Sequence, residues 1–312
     1  MVAIPQNPEF SPYDRKNLTA MDEWPKLASS MKGSKKQFWN DDDIFEEILA
    51  KHGGKINATL EEKKAIAGLM SIIYYGEIVA MHTSAHLIGM VPDLPAQFVL
   101  AFQTMEEAKH ITSMGKYLRA LEIDLPEINP WAKKLLDGLR LERDPAAKLV
   151  GMNLIVENVA HSLFTTVMEN FDEPVLQELL HYIDLDEVKH VALARNYLPR
   201  LLKNIGPVRR AQIYAKQAYW NYVMFRAQEQ IMKDTAGLMI DWNAQMKRDM
   251  KDMRNMFKEL PVEAQRISLF KPPSKELTDK IADWLLPPEK FAEARERSAF
   301  RKRAQEAAPA QA

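Results

Sequence analysis

The strongest constraint on this chain is a motif that it carries twice. Glu107-Ala108-Lys109-His110 and Glu187-Val188-Lys189-His190 each set a Glu three residues before a His. Thirty residues upstream of each lies a lone Glu inside a mostly apolar run, Glu77 and Glu157, so the second set repeats the first at an offset of eighty residues. Positions i and i+3 share a helix face, so each Glu–His pair can point at one object. Pro92 lies midway between Glu77 and Glu107, and Asp172, beside Pro174, lies midway between Glu157 and Glu187. Rise per residue is the same going up and coming down, so antiparallel hairpins turning at these points bring all six side chains to one level.

These carboxylates sit on apolar faces. Glu77 is flanked at helical spacing by Ile73, Tyr74, Ala80 and Met81, and Glu157 by Asn153, Leu154, Ala160 and His161. Four carboxylates buried together repel one another and take up protons, whereas two divalent cations match their charge. The chain has no Cys, which removes thiolate sites, disulfides and Fe–S clusters. A site of His and carboxylate alone suits iron or manganese. Four Glu and two His converging inside a helix bundle is the ligand pattern of ferritin-like di-iron carboxylate proteins. A third Glu-x-x-His, Glu178–His181, lies nine positions before the second motif. At about 100° per residue it faces the other way, and Lys148 stands thirty residues upstream of it, so a solvated face is expected there.

The rest of the chain reads as all-α, a ferritin-like four-helix bundle core with additional helices. Residues 1–36 are Pro-rich and polar, which predicts an irregular arm. A short helix spans about Asp41 to His52 and stops at Gly53-Gly54. Thr59 and Glu62 form a capping box that opens a helix over about 60–90. Further helices are expected over about 95–121 and 130–141. Asp144 and Pro145 start another, which runs to about Asn170, and the next covers 174–198 and stops at Pro199. A long helix follows over 208–235, or on to Glu259, and two shorter ones lie near 274–285 and 288–304. In domain terms, 37–260 forms the di-metal bundle, 261–306 holds C-terminal helices packed on it, and 307–312 is a disordered tail.

Composition narrows the partners. Net charge is −1 with both signs mixed, so neither nucleic acid nor an anionic membrane is an expected partner. Residues 65–92 carry one charged side chain besides His, Glu77, in a run long enough to span a bilayer. Its Glu, His82, His86, Ser and Thr, and its charged flanks, fit a buried bundle helix better, so no membrane span is expected. Prolines interrupt residues 1–30 and no apolar signal region appears, so the expected location is the cytoplasm.

The repeat, with QFVLAFQTMEEAKH (97–110) and DLDEVKH (184–190), resembles the small-subunit superfamily of ribonucleotide reductase, and within it the ligand-binding oxidases. Further likeness lies in WPKLASSMKGSKKQFWNDDDI (24–44), and the resemblance covers about residues 24–200. It implies metal ligands Glu77, Glu107, His110, Glu157, Glu187 and His190, holding two Fe ions or one Mn and one Fe. It also implies a relay in which Asp186 bonds His110 and meets Trp39. Two departures stand out. The radical Tyr of the reductase subunits would fall at Met114, and the Tyr that some of the oxidases cross-link would fall at Met152. His161, one turn beyond Glu157, reads as an additional ligand, a pocket hydrogen-bond donor or a satisfied core His.

The expected function is an O₂-activating dinuclear non-haem metal oxidase or oxygenase acting on a small hydrophobic or aromatic substrate, with an external electron donor. A homodimer is one assembly open to it. Met81, Met105, Met114, Phe102 and Phe164 are candidates to line the substrate pocket. The alternatives are a radical-generating reductase subunit and a ferritin-like iron-storage protein.

Overall fold

The structure is a computed structural model that describes residues 7, 9–203, 205–235, 240–259 and 274–297. Among these it is helical, with no strand. Helices α1 (Pro25–Lys36) and α2 (Ile44–Lys51) precede a long hairpin of α3 (Leu60–Met90) and α4 (Leu94–Ala120). Then come α5 (Pro130–Leu141), α6 (Pro145–Leu149), a π-helical stretch (Val150–Val156) and α7 (Glu157–Asn170). After these follow α8 (Pro174–Leu202), α9 (Pro207–Asp234), α10 (Trp242–Glu259) and α11 (Lys275–Leu285). The bundle core consists of α3, α4, α7 with its π-helical lead-in, and α8.

Local chemistry sets most boundaries. The Thr59 side chain accepts from Glu62 N while Glu62 reaches back to Thr59 N, so the capping box is complete. At the other end of α3, Val91 is extended ahead of Pro92, a conformation a residue before proline prefers. Asp144 caps α6 through the amides of Ala146 and Ala147 with Pro145 at the first helical position. The α3 helix is long and apolar enough to cross a membrane, but just over half of its most apolar window is buried among neighbouring helices.

Three expectations change, and one of two alternatives is decided. The segment 1–36 is not wholly irregular: Pro25 opens α1, which buries Leu27 against the bundle, and two short 3-10 turns precede it. Proline is a good first helical residue, and none follows it within α1, so the Pro-rich stretch ends where the helix starts. The α8 helix passes through Pro199 to Leu202, because a proline in the last turn removes only one hydrogen bond. The α9 helix ends at Asp234 rather than running on to Glu259, with Ile240 and Asp241 non-helical before α10. The helix carrying Glu157 is not α-helical throughout, because residues 150–156 take the wider π form. At its start, Gly151 lies under the Trp220 ring and Leu139. Near the C-terminus, a 3-10 turn (Pro288–Phe291) leads into helix over 292–297, and the expected tail at 307–312 lies outside the described residues.

Candidate metal centre

Each hairpin delivers its side chains to one level of the bundle. Glu77 comes from α3, Glu107 and His110 from α4, Glu157 from the first turn of α7, and Glu187 and His190 from α8. All six are buried, and Glu107, His110 and Glu187 have no exposed surface. His110 Nδ1 lies 3.0 Å from Glu77 Oε2, 3.4 Å from Glu107 Oε2 and 3.3 Å from Glu187 Oε1. His190 Nδ1 lies 3.2 Å from both Glu107 Oε1 and Glu187 Oε2. The donor atoms form two groups, Glu77–Glu107–His110–Glu187 and Glu107–Glu157–His190, each with its atoms within 4.8 Å of one another. Glu107 belongs to both.

The other ring nitrogens face outward to carboxylates. Asp186 Oδ2 lies 3.3 Å from His110 Nε2, and Glu106 Oε2 lies 3.0 Å from His190 Nε2. This fixes Nδ1 of each ring toward the cluster, the orientation that a carboxylate behind a metal-binding His imposes. Trp39 Nε1 donates to Asp186 Oδ2 at 3.0 Å, and the Trp39 and His110 rings stack with centroids 6.1 Å apart. The Lys109 ammonium is 3.0 Å from Asp186 Oδ2 and 4.2 Å from the centre of the Trp39 ring. Lys189 Nζ lies 2.6 Å from both Glu106 Oε1 and Asp186 Oδ1, so one cation ties the two outer carboxylates together. Gln103 Nε2 donates to Glu107 Oε1 and Glu157 Oε1, and Asn153, in the π stretch, donates to Gln103 Oε1 and the His190 carbonyl.

Electrostatics fits a cation site. Burial lifts Glu77 to about 7 and raises Glu107 and Glu187 well above the usual carboxylate range. Burial works against the charged form of His190, but Glu107 and Glu187 overcome it and hold its pKa well up. Asp186 is held well below its ordinary value, since the bonds from His110 and Lys189 outweigh its burial. Glu107 Oε2 and Glu187 Oε1 are buried without any hydrogen-bond partner. Buried oxygens are rarely left so, and two metal ions within this set would satisfy both. The residues therefore fit a dinuclear centre of hard, carboxylate-rich character.

Glu106, Lys109, Lys189, Gln103 and Asn153 escaped the sequence reading. The signal for the first three was present, since the offset of eighty maps Asp186 onto Glu106 and Lys189 onto Lys109. His161 stands outside the cluster, with Nδ1 against Asp184 Oδ1 and a side chain 37% exposed, and it does not border the apolar cavity beside the centre. His181 is exposed, and Glu178 instead meets Lys51 and His52 at the surface.

Beside the centre is a cavity of about 90 Å³ that reaches Glu77 and Glu157 and is bordered by α5, α9 and α10. Its walls include Ile73, Leu136, Met152, Leu163 and Met224. None of the expected lining residues borders it. Met114 and Phe164 are packed in the core, Met105 is exposed, and Met81 and Phe102 lie elsewhere. Which face of α3 and α7 meets the cavity is set by α9 and α10, whose docking the methionine pattern does not reveal.

No protein-family profile matches the chain, and no curated protein matches it. Solved structures do. A glycine-to-leucine variant of an R2-like ligand-binding oxidase with an aerobically reconstituted Fe/Fe cofactor superposes with a TM-score of 0.56 at 19% identity, covering 77% of this chain and 94% of that one. A valine-to-leucine variant with an aerobically reconstituted Mn/Fe cofactor gives a TM-score of 0.54 at 17% identity, covering 88% of this chain and 93% of the other. The chain thus has the fold of the R2-like ligand-binding oxidases, the ferritin-like helical architecture of the ribonucleotide reductase small subunit.

Proposed function

We propose that this chain is a dinuclear non-haem metal oxidase or oxygenase that uses O₂ and an external electron donor. The observation that carries the reading is the pair of donor groups sharing Glu107, with buried oxygens of Glu107 and Glu187 left without hydrogen-bond partners. Glu77, Glu107, His110, Glu157, Glu187 and His190 would hold two Fe ions, or one Mn and one Fe, as in the R2-like oxidases of the same fold. Bound there, such ions would supply redox electrons for O₂ reduction, with the remainder coming from the external donor.

The chain's own residues do the rest. Asp186 and Glu106 orient the two imidazoles and raise their basicity. Gln103 holds the Glu157 carboxylate toward Glu107. Trp39, bonded to Asp186 and stacked on His110, is the route by which an electron reaches the centre from outside. The apolar cavity excludes water and seats a small hydrophobic or aromatic substrate against Glu77 and Glu157.

The reductase-subunit reading is disfavoured by Met114, fully buried where the resemblance puts a radical Tyr. Iron storage is disfavoured by a cavity whose walls are apolar and suit an organic molecule better than a hydrated ion. An oxygen electrode tests the proposal. Reduced, metal-loaded protein should consume O₂, and Glu107→Ala should abolish this. Equal uptake by parent and variant would overturn it.

A further inference from the structure

The eighty-residue repeat reaches past the centre to a further pair of contacts. Tyr117 follows His110 by seven residues, and Tyr197 follows His190 by seven. Asp93 and Glu173 are likewise eighty apart, and each is the capping residue that opens a helix, Asp93 for α4 and Glu173 for α8. Tyr117, on α4, donates to Glu173 Oε2 at 3.1 Å, and Tyr197, on α8, donates to Asp93 Oδ2 at 2.7 Å. Each of these two helices thus holds the residue at the start of the other, and both tyrosines are buried.

The two ties lie on opposite sides of the centre. The late part of each helix meets the beginning of the other, so α4 and α8 run antiparallel. Seven residues of helix rise about 10 Å, so the Tyr117 backbone stands about that far to one side of the His110 level and the Tyr197 backbone about as far to the other side of the His190 level. Tyr117 packs in one apolar cluster with Phe164 and Leu179, and Tyr197 in a second with Leu100 and Leu149.

The centre depends on the register between these helices. One donor group takes Glu77, Glu107 and His110 from the first hairpin but Glu187 from the second, while the other takes Glu157 and His190 from the second but Glu107 from the first. Across the hairpins, His110 Nδ1 lies 3.3 Å from Glu187 Oε1 and His190 Nδ1 lies 3.2 Å from Glu107 Oε1. A slide by the rise of one residue, about 1.5 Å, far exceeds the tolerance of about 0.2 Å in metal–ligand distance. Four buried carboxylates also repel one another when no cation neutralises them. Lys109 and Lys189 link α4 to α8 through Asp186 and Glu106, but only at the level of the centre, where the helices could still pivot. A tie on either side removes that freedom.

We propose that Tyr117 and Tyr197 are positioning residues that lock α4 and α8, through Glu173 and Asp93, in the register that lets each donor group borrow its carboxylate from the opposite hairpin. This rests on the reading of the six side chains as a dinuclear metal centre.

The test is titration of the full-length protein with Co²⁺ against a competing chelator, the visible absorbance of the bound ion reporting occupancy. The parent is compared with Tyr117→Phe, Tyr197→Phe and the double variant. Each substitution removes one oxygen and keeps the ring, and Glu173 can still cap α8 through the amides of Val175 and Leu176. Leu69→Ala opens a cavity in the core at α3, away from both ties, and controls for a general loss of stability, which urea unfolding measures. Each single variant should bind Co²⁺ about threefold or more weakly than the parent, and the double variant about tenfold or more weakly, as a shift out of the competent register requires. Leu69→Ala should be less stable than the parent yet bind Co²⁺ equally well. Parent-like affinity in either single variant, or an equal loss of affinity in Leu69→Ala, would overturn the proposal. A parent that binds no Co²⁺ would remove the centre itself and the ties with it, whereas binding by the parent with unaltered variants would remove the ties alone.

Discussion

His190 Nε2 lies 3.0 Å from Glu106 Oε2, and this contact repeats, eighty residues apart, that between His110 and Asp186. The repeat therefore extends beyond the six candidate ligands to the groups behind them. Glu106→Ala and Asp186→Ala should each weaken metal binding by about tenfold or more while leaving the helical content intact. Competitive titration with a chelating indicator measures this. Parent-like affinity in both variants would show that the outer carboxylates do not orient the rings.

Trp39 separates electron delivery from metal binding. It touches Asp186 and the face of His110 but none of the six candidate ligands through a hydrogen bond. Trp39→Phe should bind metal like the parent, yet alter the time course of absorbance change after stopped-flow mixing of the reduced protein with O₂. Superimposable traces would remove Trp39 from the path.

The spacing of the six candidate ligands was legible because few residue types bind metal and helix geometry leaves few ways to aim them together. Glu77 and Glu157 could be found because a lone carboxylate in an apolar run is costly. Other features depend on tertiary contacts that spacing does not encode. The π stretch before Glu157 forms where Gly151 passes beneath Trp220, from a helix much later in the chain. Part of the cavity wall comes from α9 and α10, which carry no motif. His161 shares a helix with Glu157, but Asp184 draws it outward.

Gly151 itself is testable. A Cβ there would run into the Leu139 side chain and come within 2.9 Å of the Trp220 ring. Gly151→Ala should destabilise the protein by about 1–3 kcal/mol through overpacking. Denaturant unfolding measures the change, and a neutral result would show that the Trp220 ring gives way freely.

Asp249 gives the protein a pH dependence of known sign. Burial raises its folded-state pKa from 3.8 to about 7. Its contribution to stability is thus full below the unfolded value and is lost as pH rises toward about 7, by roughly 2–4 kcal/mol. Asp249→Asn cannot ionise, so it should gain stability relative to the parent between about pH 4 and pH 8. Urea unfolding at several pH values is the check, and a parent–variant difference that does not change with pH would contradict the cause given.

The most direct measurement is metal stoichiometry after anaerobic loading with iron, or with manganese and iron, followed by removal of unbound ions and elemental analysis. The expected result is two ions per chain in the parent, reduced occupancy in Glu107→Ala and Glu187→Ala, and unchanged occupancy in His181→Ala, whose side chain is exposed away from the cluster. Only trace metal in the parent, or an equal loss from His181→Ala, would contradict a dinuclear centre built from the two repeated motifs.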